Sequence, residues 1–114
     1  MQLVKDKITL AELRQMSEKM SGNLVKAVVD IEQEIMAVDA PMHFDQEQFL
    51  LEEGSKQDNL WGINFHPNEV GSDDFIEFDS MINLRPSRGN RTRSVDNPEI
   101  QKKIRALVRK LVVL

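Results

Sequence analysis

Trp61, Ile63 and Phe65 alternate with Gly62 and Asn64, and no other stretch of the chain restricts its conformation as tightly. A period of two places large apolar groups on one face of an extended strand. The alternation returns between Phe75 and Arg85, where Ile76, Phe78, Ile82 and Leu84 share one face and Glu77, Asp79, Asn83 and Arg85 the other. Pro67 to Asp74 is rich in turn formers and joins the two runs as a hairpin. The pattern predicts paired strands at 61–65 and 75–85, with one polar face.

Residues 24–38 carry two periods at once. Val25, Ala27, Val29 and Ile31 alternate with Lys26 and Asp30, while Leu24, Ala27, Val28, Ile31, Ile35 and Val38 gather on one helical face. The β-branched density of 25–31 favours a strand, with Glu32-Gln33-Glu34 as a turn into a second strand at 35–38. Residues 2–8 read as a short strand or an extended lead-in.

Three helices are expected around these strands. Thr9-Leu-Ala-Glu12 is a capping-box pattern that opens a helix at 9–20, with Leu10, Leu13, Met16 and Met20 near helical period and Ser21-Gly22-Asn23 as its stop. Asp45 is the expected cap of a short helix at 46–53, ended by Gly54, with Phe49 and Leu50 facing the core. Asn97-Pro98-Glu99 combines a capping side chain, proline at the first helical position and an acid in the first turn. Ile100, Ile104, Leu107, Val108 and Leu111 then form an apolar stripe beside Lys102, Lys103, Arg105, Arg109 and Lys110. The fold class predicted is α+β: a mostly antiparallel sheet, N-terminal and C-terminal helices packed on one face in two layers, and the polar face open. A chain of 114 residues has the length of one domain, 1–114.

Charge divides this chain. Residues 1–84 hold six Lys/Arg against seventeen Asp/Glu, and residues 85–114 hold nine against two, within a net charge of −4. Such a division points to a basic segment that docks on the acidic part or reaches an acidic partner. The absence of cysteine excludes disulfides, thiolate nucleophiles and zinc–cysteine sites. The opening MQLVKDKITL lacks the uninterrupted apolar segment of a signal peptide, and no apolar run approaches the ~20 residues of a membrane helix. A cytoplasmic protein with no membrane association is expected.

No phosphate-loop, dinucleotide, zincin or nucleophile-elbow fingerprint occurs, so no cofactor and no metal is implied. The strongest candidate site is Arg85-Pro-Ser-Arg-Gly-Asn-Arg-Thr-Arg93. Arginine presents a planar fork that matches phosphate and carboxylate oxygens. Arg85, Arg88, Arg91 and Arg93 would bind a small anionic or phosphorylated ligand, with Ser87, Gly89 and Asn90 in close polar contact. Against this stands a plain polar loop whose arginines pair with Glu77, Asp79 or other carboxylates, and Asp96 and Glu99 would repel an anion at the helix start. An alternative function is a protein-interaction module or homo-oligomer built on the basic C-terminal helix. A third is a small metal-dependent hydrolase or nuclease using His43, Asp45 and Asp79, with His66 at the end of the Trp61 strand. Whether the protein is an enzyme is left open. One tryptophan, no tyrosine and net acidity make nucleic acid a poor partner.

Lys26-Ala-Val-Val-Asp-Ile-Glu32, His43-x-Asp45, Gly54-Ser-Lys-Gln57 with Leu60-Trp-Gly-Ile-Asn64, and Ile82-Asn-Leu-Arg-Pro86 leading into Gly89-Asn-Arg91 resemble a small prokaryotic family known only as a domain of unknown function. The resemblance runs over nearly the whole chain. It implies a compact α+β cytoplasmic protein and supplies no activity, ligand or partner. The resemblance implies a glycine pair near Asp39-Ala40, just before His43, where this chain instead has Asp-Ala-Pro.

Overall fold

The computed structural model describes residues 1–20 and 22–114. Five strands form one antiparallel sheet: β1 (Gln2–Val4), β3 (Val25–Asp30), β4 (Ile35–Val38), β5 (Leu60–Phe65) and β6 (Ile76–Glu77), in the order β1-β4-β3-β5-β6. A separate parallel pair joins β2 (Ile8–Thr9) to β7 (Val112–Val113). The helices are α1 (Leu10–Glu18), α2 (His43–Glu52) and α3 (Pro98–Leu111). The architecture is α+β, as the sequence predicts.

The strand reading of 24–38 holds. Asp30 sets the turn between β3 and β4: its Oδ1 accepts from the Glu32 and Gln33 amides, both at 3.0 Å, and its Oδ2 from the Ser55 hydroxyl at 2.6 Å. These bonds satisfy a fully buried carboxylate. Val28, which breaks the alternation, lies on the sheet face opposite Ala27 and Val29 and packs with Leu50 of α2.

The Thr9 capping box forms as predicted, and α1 ends at Glu18 with Lys19 as its cap. Ser21 of the expected stop signal lies outside the described residues. Asp39 has a φ of 64°, the left-handed region that glycine enters without penalty, and its carboxylate accepts from Lys19 at 3.0 Å. Leu13 and Met16 of α1 share one apolar cluster with Ile104, Leu107, Val108 and Leu111 of α3 and with Val25, Ala27, Val29, Trp61, Ile63 and Phe65. Leu50 of α2 belongs to a second cluster with Val28, Ile35, Ala37 and Leu60.

Two sequence expectations fail. The first is the strand at 75–85: pairing ends after Asn64 opposite Glu77, and the chain turns into short 3-10 helices at Met81–Asn83 and Pro86–Arg88. Side chains take over the edge of β5. Asn83 Oδ1 accepts from the Gly62 amide at 2.8 Å and Asn83 Nδ2 donates to the Gly62 carbonyl at 2.9 Å, so one side-chain amide stands in for a strand. Arg85 Nη2 donates to the Leu60 carbonyl at 2.7 Å. Glycine at 62 permits the approach, since a Cβ there would lie 2.5 Å from Ser80 Cβ. The second is the open polar face: Asn64 and Asn83 are buried, and Ile82, expected beside Ile76, packs on the opposite cluster.

The short helix also begins earlier than expected. α2 starts at His43 with Met42 as its cap, so Asp45 is not the cap residue. Its buried stripe is His43, Gln46, Glu47 and Leu50, while Met42 and Phe44 are exposed. Polar His43, Gln46 and Glu47 on the buried side obscure its first turn, while the remainder follows the expected helix with Leu50 in the core.

Candidate arginine cleft

Residues 85–96 are held by one buried side chain. Asn90 Nδ2 donates to the carbonyls of Asn83 (2.7 Å), Ser94 (2.8 Å) and Thr92 (3.1 Å), and its Oδ1 accepts from the Asp96 amide at 2.8 Å. The backbones of Arg85 and Asn90 form a bridge that closes the loop, and Gly89 makes the turn at a φ of 85°. With no Cβ, glycine takes that angle without strain. Loop geometry is therefore fixed from inside, by backbone and amide groups rather than by the arginine side chains.

The arginines divide. Arg85 is largely buried; Nε donates to the Ile82 carbonyl at 3.1 Å, the guanidinium lies 5.0 Å from the Trp61 ring, and Nη2 is 3.6 Å from Glu47 Oε2. Burial draws its pKa below the usual arginine value, with Glu47 and Asp58 pulling the other way. Arg88 is exposed and pairs with the exposed Asp58, which lowers the Asp58 pKa and raises that of Arg88 through their hydrogen bond. Arg93 Nε donates to Asp79 Oδ1 at 2.7 Å. The Arg91 amide donates to Asp96, while its exposed side chain has no ion-pair partner among the described residues.

Arg85, Arg88, Gly89 and Asn90 line a cleft of about 410 Å³ together with Asp58, Trp61, Asn97 and Ile100. Asn97 caps α3, accepting from the Glu99 amide at 2.9 Å. Asp96, expected to repel an anion here, is engaged by the Thr92 hydroxyl and the Arg91 amide, and both hold its pKa down. Trp61 Nε1 is buried without a hydrogen-bond partner among the described residues. Ser87, Arg91 and Arg93 do not line the cleft. Trp61, Asp58 and Asn97 are the lining residues that the loop sequence does not reveal. They come from three other segments and meet only in the folded chain.

The histidine candidates lie elsewhere. His43 is buried, with Nε2 2.8 Å from the Ile63 carbonyl, whereas Asp45 on the same helix is exposed. Asp79 pairs with Arg93, and His66 sits 3.0 Å from Glu77, whose pKa is lowered chiefly by that contact. Among the described residues no three His, Asp or Glu side chains are grouped to hold a metal ion.

Burial draws the His43 pKa below 6.5; the Ile63 carbonyl opposes this and Lys26 adds to it. The fold holds the neutral imidazole, and the unfolded chain takes up the proton more readily. This contribution to stability is whole above about pH 6.5 and is lost as pH falls through the folded-state value. His43→Gln, which keeps a donor for Ile63, should flatten the decline in urea-unfolding free energy between about pH 7 and pH 5. Parallel profiles for the two proteins would contradict this assignment.

The family described as protein of unknown function DUF5674 matches residues 2–111, a span that includes the motifs carrying the resemblance. No curated protein and no solved structure matches the chain.

Proposed function

We propose that this chain, which belongs to the DUF5674 family of proteins of unknown function, binds a small anionic or phosphorylated ligand in the Arg85–Arg88 cleft. One observation carries the reading: the exposed arginine of the cleft is held only by an exposed aspartate. Surface ion pairs contribute little net stability, so an anion can displace Asp58 from Arg88 at small cost. The surrounding loop is already ordered by Asn90, and preorganisation reduces the entropy lost on binding. Arg85 supplies a second cation to the cleft lining. Arg91 and Arg93, which do not line the cleft, add positive charge on the same loop, and Ser87 takes no direct part.

A thermal-shift panel of inorganic phosphate, pyrophosphate, nucleotides and citrate at low salt tests the reading. Binding to the folded state alone raises stability by mass action, about 2.7 kcal/mol at a ligand concentration of ~100 times Kd. At least one anion should raise the Tm of the wild type in a dose-dependent way, with Arg88→Ala insensitive to it. No stabilisation at millimolar concentration of any anion would remove the proposal.

A further inference from the structure

A second recess opens between the Val70–Ile76 segment and the last two turns of α3. It has a volume of about 450 Å³ and shares no lining residue with the arginine cleft. That volume falls in the ~300–1,000 Å³ range of small-molecule sites. Leu10, Phe75, Ile76, Val108 and Val112 supply apolar walls, and Val70 at the edge is 40% exposed.

Positive charge stands on one side of the rim. Arg105 and Arg109 stand one helical turn apart on α3, so both guanidiniums reach the same edge. Neither has a carboxylate within ion-pair distance among the described residues, whereas the neighbouring Lys102 and Lys110 pair with Glu99 and Glu34. The Arg105 guanidinium lies 5.1 Å from the Phe78 ring, which fixes its position beside the groove. Asp73 occupies the opposite rim and repels an anion from that side.

From this arrangement we infer a binding site for a single-chain organic carboxylate, its hydrocarbon on the apolar floor and its carboxylate on Arg105 and Arg109. Apolar burial supplies most of the affinity, and the two arginines set the head group and its direction. The site is independent of the Arg88 cleft, so either stands without the other.

The probe is decanoate, below its micellar concentration, followed by methyl-resolved NMR on the full chain. Saturable shifts should be confined to Ile76, Val108, Val112 and Leu10. Arg105→Gln/Arg109→Gln should weaken binding at least tenfold, Arg105→Lys/Arg109→Lys should retain most of it, and Arg88→Ala should leave it unchanged. Decyltrimethylammonium, with the same tail and the opposite charge, should bind at least tenfold more weakly. Equal affinity for the two head groups, shifts centred on the arginine cleft, or no saturable binding would each overturn the inference. Saturation by an acidic peptide and not by decanoate would overturn it too.

Discussion

Asn83→Ala is expected to lower the free energy of unfolding by about 3–5 kcal/mol, because it leaves the amide and the carbonyl of Gly62 unpaired inside the sheet. Each buried polar group without a partner costs roughly 1–3 kcal/mol, and Asn83 Nδ2 also serves the Arg93 carbonyl at 3.0 Å. For a chain of this length the loss corresponds to a fall in Tm of about 10–20 °C. Urea unfolding and a thermal scan measure it, with Ser87→Ala, at an exposed position, as the control expected to stay within about 0.5 kcal/mol. A loss below about 1 kcal/mol for Asn83→Ala would mean that another group closes the β5 edge.

Asn90→Ala should cost about 2–4 kcal/mol, since its amide serves three carbonyls and its oxygen the Asp96 amide. Its second effect concerns binding. Every arginine remains, yet the frame that holds Arg85 and Arg88 on one cleft is gone. Anion-dependent stabilisation should therefore fall with the loop, and amide exchange at Asp96 should accelerate in the same variant. Unchanged anion affinity in a folded Asn90→Ala protein would show that charge alone, without loop order, makes the site.

Much of the frame is legible in residue patterns. The Thr9 capping box, the Asn97-Pro98 helix start and the turn at Glu32-Gln33-Glu34 each rest on local chemistry, and the fold keeps all three, with Ile31 joining the turn. The segment 75–85 is not legible, because alternation records which side chains face which way and not which backbone groups pair. Gly62 has space for Ser80 and Asn83 has the length to reach both of its main-chain groups, so a side-chain amide replaces the expected strand. The helix at 46–53 is legible from its glycine stop, but the first turn of α2 is not: its inward residues His43, Gln46 and Glu47 are polar, and Met42 and Phe44 face outward.

The arginine segment falls between these cases. Its charge excess against the acidic remainder points to internal pairing, and Arg93 with Asp79 and Arg88 with Asp58 follow that expectation. Which arginines share a cleft depends on Trp61, Asp58 and Asn97 converging from distant positions, and spacing in the sequence carries no sign of it.

Asp58 makes the central claim open to a direct measurement. If Arg88 is an anion-binding group with a resident carboxylate as competitor, removing that carboxylate must tighten binding. Calorimetric titration of pyrophosphate at low salt should give a Kd several-fold lower for Asp58→Asn than for the wild type, with no measurable uptake by Arg88→Ala. Raising the salt should weaken both binding proteins, as screening requires. An Asp58→Asn protein that binds no anion more tightly than the wild type, beside an Arg88→Ala protein that binds equally well, would contradict the account.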